Sequence, residues 1–264
     1  KGKKVVLNPL ITCGECSYCK NKREHLCPKR VLLGMNRPVE RQGCFAELVL
    51  TPDKNIYELP EGLDIKKAPI AEPTAVSLHA VELGEEVLKK DLQNSRVLII
   101  GGGAIGLLCA LILEKYKKCN EVILVEPNEN RLKVCSNHLE SDTSKPDDKR
   151  ISDNSFDIVF DTVGLEITRQ NSIKAVNPGG VIVHIGLTQP SGTFDFRKAT
   201  LQEITFVGTY CYTNRDFEKT LSLLSNNSLG KLEWIEYREL NKGAQAFKEI
   251  HDGTCSAPKI ILIP

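Results

Sequence analysis

Short apolar, β-branched runs alternate with helical spacings through the middle of this chain. Val97–Ile100, Glu121–Val125, Phe156–Phe160, Val181–Ile185 and Ile204–Val207 read as buried strands. Between them, Leu107–Leu113, Arg131–His138 and Ile167–Val176 have helical patterning. Strands alternating with helices predict a parallel, doubly wound sheet of the α/β class. On either side the pattern weakens. Lys4–Leu7 reads as a strand ended by Asn8-Pro9, and Ala68–Leu88 as a helix. Ser141–Arg150 is polar and reads as a loop. Asp216–Leu224 and Ala244–Ile250 read as helices, and Lys259–Ile263 as a closing strand.

One junction in this pattern carries chemistry. The strand Val97–Ile100 runs into Gly101, Gly103 and Gly106, spaced G-x-G-x-x-G, and a helix follows. In that context Gly101 allows a tight turn and Gly103 lets the backbone approach a pyrophosphate. Gly106 lets the helix pack close, with the anion at the helix N-terminus. Taken alone, these glycines are equally an ordinary βα turn. The next strand ends at Glu126, twenty residues beyond Gly106, where a carboxylate can accept both ribose hydroxyls of an adenosine. It would also repel a 2′-phosphate, which favours NAD over NADP. Arg131 nearby works the other way, since a guanidinium tolerates that phosphate.

Composition narrows the field. The chain has 264 residues, 41% hydrophobic and 26% charged, as in an ordinary globular protein of one or two domains. Net charge is +1, so no field recruits nucleic acid or an anionic membrane surface. No apolar run approaches the roughly 20 residues of a membrane span. No signal peptide opens the sequence, and a cytoplasmic location is expected. Of ten cysteines, four fall at Cys13, Cys16, Cys19 and Cys27, spaced C-x2-C-x2-C-x7-C. Four thiolates in one loop suit a closed, tetrahedral structural zinc; free surface thiols or an iron–sulfur centre are the alternatives.

This cysteine lobe upstream of the glycine turn resembles the zinc-containing medium-chain dehydrogenases. So do Gly43-Cys44-Phe45-Ala46-Glu47, similar to the family's G-x-[FY]-A-E strand, Leu59-Pro60-Glu61-Gly62, and Glu72-Pro73 with Ala75-Val76 and Leu78-His79-Ala80. The likeness continues through Asn177-Pro178-Gly179-Gly180, Gly208-Thr209-Tyr210 and the final strand. It implies a Rossmann domain over residues 75–209 and a partial GroES-like β domain formed by residues 1–74 and 210–264. It places Ile105, Val163, Gly186, Leu187, Thr209, Tyr210 and Cys211 along the cofactor groove. Glu72 would lie at a catalytic zinc, as ligand or neighbour. The implied activity is hydride transfer between NAD and a secondary alcohol such as a polyol, sugar or hydroxy amino acid, in a homodimer or homotetramer.

The family's catalytic zinc also takes a cysteine and the histidine of a Gly-His-Glu motif. No Gly-His-Glu occurs in the 264 residues, and none of the five histidines replaces it. The expectation is therefore one structural zinc and a complete cofactor half beside an incomplete catalytic half. The competing expectation is a non-enzymatic NAD-binding module.

Overall fold

The computed structural model describes residues 1–35 and 40–264. They divide into two compact units: Lys1–Val76 with Tyr210–Thr254 and Ile260–Pro264, and Ser77–Thr209 with Cys255–Lys259.

In the first unit, β1 (Val5–Leu7), β2 (Leu10–Ile11), the single-turn α1 (Ser17–Lys20), β3 (Val31–Leu32) and β4 (Ile56–Glu58) precede α2 (Ala71–Val87), within which the division falls. β1 pairs antiparallel with β4, and β2 with β3. The buried Asn55 amide donates to the carbonyls of Asn8 (2.8 Å) and Leu10 (2.9 Å), so a side chain satisfies backbone acceptors at the turn between β1 and β2.

The second unit runs β5 (Arg96–Ile100), α3 (Ala104–Leu111), β6 (Glu121–Val125), α4 (Glu129–His138), β7 (Asp142–Ser144), β8 (Phe156–Asp161), α5 (Glu166–Ala175), β9 (Val176–His184), α6 (Phe196–Leu201) and β10 (Thr205–Gly208). Its strands form one parallel sheet in the order β10-β9-β8-β5-β6-β7. The order reverses between β5 and β8, the switch point where doubly wound sheets bind their ligands. Both faces of the central strands are buried, as a parallel sheet requires. Leu98, Ile100, Val159 and Ile182 pack with Ile173 and Ala175 of α5. The opposite face meets α2, where a Cβ on Gly84 would lie 2.8 Å from Ile158 and 2.9 Å from Val183. The chain then returns to the first unit through α7 (Asn214–Ser225), β11 (Ile235–Glu239), α8 (Gly243–His251) and β12 (Lys259–Ile263), with β11 beside β12.

Three local expectations need correction. The polar stretch expected as a loop opens with β7, whose residues Asp142–Ser144 pair with Ile123–Val125. An edge strand draws its stability from its neighbour's backbone and needs no apolar alternation. The G-x-[FY]-A-E stretch forms no strand, and Phe45, Leu48 and Leu50 are 65%, 89% and 91% exposed. No described strand pairs with it. Finally, α3 stops at Leu111, and Ile112–Tyr116 continues as a π-helical turn.

Candidate functional site

The cysteine lobe is built by α1. Cys16 caps that turn and Cys19 sits inside it, while Cys13 and Cys27 approach from the flanking loops. Sulfur–sulfur distances are 3.5 Å for Cys16–Cys19, 3.5 Å for Cys27–Cys13 and 3.9 Å for Cys13–Cys19. A tetrahedral zinc with bonds of about 2.3 Å needs sulfurs about 3.8 Å apart, so the four thiols fit the ion. All four ligand atoms lie within 4.8 Å of one another, and this is the one such cluster found among the described residues. Backbone N–H groups of Glu15 and Cys16 hold the Cys13 thiol down to about 6, whereas burial and neighbouring thiols push Cys19 up to about 12. Metal binding would therefore have to displace protons. Glu24 anchors the lobe, accepting the Asn214 N–H at 2.6 Å.

The glycine turn shows the geometry of an anion cradle. Gly101 has φ +107°, a conformation glycine adopts without strain. A Cβ on Gly106 would lie 1.8 Å from the Gly101 carbonyl oxygen, so only glycine permits this approach of helix to turn. Around a Cβ on Gly103 nothing lies within 4 Å. Gly103 caps α3, with no side chain accepting from its first turn. By contrast α4, α6 and α7 begin with Asn128, Asp195 and Thr213, each accepting a first-turn amide. The leading amides of α3 thus remain available to an anion. Ile105 lies in that first turn, its carbonyl accepting the Ser77 hydroxyl at 3.2 Å.

Glu126 is 4% exposed at the end of β6. Its Oε2 accepts the Gly102 N–H at 2.8 Å and its Oε1 the Asn128 N–H at 2.8 Å. Each oxygen keeps a lone pair for a further donor. Arg131 lies 3.7 Å from Oε2 and donates to the Cys255 carbonyl at 3.4 Å. Glu126, Arg131, Gly101 and Val163 border a cavity of about 490 Å³.

The other expected groove residues fall at strand ends. Val163 packs against Gly101, and a Cβ on Gly186 would lie 2.0 Å from the Val163 carbonyl carbon, so the ends of β8 and β9 touch through backbone. Leu187 is exposed. The Thr209 N–H donates to the His184 carbonyl at 3.1 Å, while Thr209 Oγ1 is buried with no hydrogen-bond partner among the described residues. In the first unit, the Arg30 guanidinium lies 4.4 Å from the Tyr210 ring centroid, and Cys211 takes φ +50°. Glu72, in the first turn of α2, lies within hydrogen-bonding reach of Tyr212. It borders a cavity of about 980 Å³ and belongs to no metal-capable cluster among the described residues.

Sequence reasoning missed a buried pair. Asp161 is fully buried and accepts from Gly164 N–H (2.9 Å) and Val163 N–H (3.1 Å), with His184 Nδ1 at 3.1 Å. Burial pushes its carboxyl up, but the His184 contact and the two backbone donors outweigh that and hold it below the usual range. An acidic residue ending an apolar strand was the available signal; nothing in the sequence indicated His184 as its partner.

Fold and turn together are those of a doubly wound α/β unit with an open helix N-terminus at its glycine turn, in a chain that also carries a four-thiol lobe. The zinc-binding dehydrogenase family profile matches residues 104–226, and the alcohol dehydrogenase GroES-like domain profile matches residues 1–61. The chain belongs to the zinc-containing medium-chain dehydrogenase family. It is 25% identical to a probable D-xylulose reductase A of Neosartorya fischeri, over 96% of this chain and 72% of that protein. It is 27% identical to an L-threonine 3-dehydrogenase of Legionella pneumophila, over 79% and 61% respectively. The L-idonate 5-dehydrogenase of Escherichia coli shares the fold, with TM-score 0.86 and 23% identity over 99% of this chain and 76% of that one. Solved proteins of this fold hold NADH in one case and NADP in another.

Proposed function

We propose that the protein is an NAD-dependent oxidoreductase of secondary alcohols, with a polyol, sugar or hydroxy amino acid as substrate, and that Cys13, Cys16, Cys19 and Cys27 hold a structural zinc. The observation that carries the cofactor half is the uncapped α3 start facing open space at Gly103, next to the buried Glu126 carboxylate. On this reading the amides around Gly101, Gly103, Ile105 and Gly106 bind the pyrophosphate. Glu126 accepts the ribose hydroxyls and, by its charge, disfavours a 2′-phosphate. Val163, Gly186, Leu187 and Thr209 continue the groove, the orphaned Thr209 hydroxyl being free to bond a polar group of the cofactor. Tyr210 and Cys211 follow directly in the chain. NAD, when bound, supplies the hydride acceptor. The substrate class is supported by the polyol and hydroxy amino acid relatives and by Glu72-Pro73.

Glu72 is the proposed residue at the alcohol's own metal. Within the described residues it bonds Tyr212 instead, and the closed cysteine set leaves no exchangeable position. That observation supports a second reading, a cofactor-binding unit that lacks catalytic zinc. The deciding experiment is a metal count together with NADH formation at 340 nm from xylitol, sorbitol and threonine in added zinc. Turnover supports the oxidoreductase reading; one zinc per chain and NADH binding without turnover support the second. Absence of NADH binding would refute both.

A further inference from the structure

The sheet order divides the strand ends around the glycine turn. Glu126 follows β6 on one side of β5, and the ends of β8, β9 and β10 lie on the other. A dinucleotide with its adenosine on Glu126 and its pyrophosphate on α3 must therefore lay its second nucleoside across β8–β10. There the backbone segments meet closely. A Cβ on Gly164 would lie 2.1 Å from the Gly186 carbonyl oxygen. The Thr188 hydroxyl donates to the Val163 carbonyl at 2.6 Å, and the Gln189 N–H to the Gly164 carbonyl at 3.0 Å.

Asp161 and His184 join all three strand ends. The Asp161 carboxylate gives Oδ1 to the Val163 and Gly164 amides and Oδ2 to His184. Its backbone carbonyl accepts the N–H groups of Ile185 (2.9 Å) and Gly186 (3.1 Å). His184 adds the third strand. Its carbonyl accepts the Thr209 N–H, and its ring lies 5.5 Å from the ring of Phe206 in β10. An ionised carboxylate only accepts hydrogen bonds, so His184 must present Nδ1–H to it, which fixes the orientation of the imidazole.

We propose that His184 and Asp161 are a positioning pair for the nicotinamide half of the cofactor groove. The imidazole holds the carboxylate, and the carboxylate sets the Val163–Gly164 turn against Gly186 and Leu187. This role rests on the cofactor reading and requires neither side chain to touch the cofactor. The test is calorimetric titration of the zinc-containing chain and its His184→Leu and His184→Asn variants with NADH and with ADP-ribose, which lacks the nicotinamide. Leucine removes the donor, whereas the asparagine amide nitrogen takes the place of Nδ1 and keeps it. His184→Leu should weaken NADH about tenfold, as expected for one lost hydrogen bond to a charged group. Its ADP-ribose affinity should stay within about twofold, because β8 separates His184 from the adenosine and pyrophosphate seats. His184→Asn should bind both ligands as the wild type does. Unchanged NADH affinity in His184→Leu would overturn the role, and equal weakening of both ligands there would reduce the pair to a purely structural one and overturn it too. So would an NADH affinity in His184→Asn as low as in His184→Leu. If the wild type binds neither ligand, the cofactor reading itself falls and takes this role with it.

Discussion

Gly103 and Gly106, three residues apart at the start of α3, should respond differently to the same added methyl group. In Gly106→Ala the new Cβ starts 1.8 Å from the Gly101 carbonyl oxygen. It must retreat to at least about 3.0 Å, so α3 and the turn move apart by more than about 1 Å. The clashing atom is backbone and cannot rotate away, so the overpacking cost falls in the upper part of the usual range, about 2–3 kcal/mol, offset by roughly 1 kcal/mol of helix propensity gained over glycine. A net loss of about 1–2 kcal/mol lowers the melting temperature by about 2–8 °C in a domain of this size. The same movement displaces the α3 amides, and losing one charge-assisted hydrogen bond costs at least tenfold in NADH affinity. In Gly103→Ala the methyl enters open space, at a φ of −71° that alanine adopts readily. Stability should stay within about 0.5–1 kcal/mol, while NADH affinity falls at least tenfold because the methyl stands where the pyrophosphate would approach. Differential scanning fluorimetry and calorimetric titration of both variants decide the matter. Wild-type affinity in Gly103→Ala would show that the turn is not the pyrophosphate seat, and wild-type melting of Gly106→Ala would refute the close approach.

Glu126→Ala should lose about 10–100-fold in NADH affinity, from about 1.5–3 kcal/mol of ribose contact, and should discriminate less against NADPH; an unchanged preference measured by titration would remove Glu126 from the ribose. Cys16→Ser should lower zinc content from one per chain towards zero while far-UV circular dichroism keeps the sheet and helix signal; retained stoichiometry counts against the four-thiol site. Asp161 is held below the ordinary carboxyl value, so its stabilisation is complete above about pH 4 and is lost as pH falls through its folded value. Asp161→Asn should therefore lose about 1–3 kcal/mol at pH 7 and show a shallower acid dependence in urea titrations; an identical acid profile would contradict that sign.

Much of the cofactor unit was legible because its signals are local. Buried central strands such as Val97–Ile100 need continuous apolar runs, and the spacing of Gly101, Gly103 and Gly106 follows from where a helix must touch a turn. The cysteine spacing was equally readable, since one short helical turn brings Cys16 and Cys19 together. What stayed hidden depends on neighbours distant in sequence. β7 is held by the backbone of β6, so Asp142–Ser144 carries no apolar pattern to read. The His184–Asp161 contact joins two strand ends that only the sheet order brings side by side. The backbone amides of Gly102 and Asn128 that hold the Glu126 carboxylate also could not be anticipated, because the Gly102 contact crosses from the turn after β5 to the end of β6. Around Phe45, Leu48 and Leu50 the motif predicted a strand, but a strand exists only where a partner supplies the ladder.

The central claim is that α3 and Glu126 form an NAD site beside a single structural zinc. Calorimetric titration of the zinc-containing chain with NADH and with NADPH tests it most directly. The account predicts one site per chain, with NADH at least tenfold tighter than NADPH. Tighter binding of NADPH, or no binding of either, would contradict it.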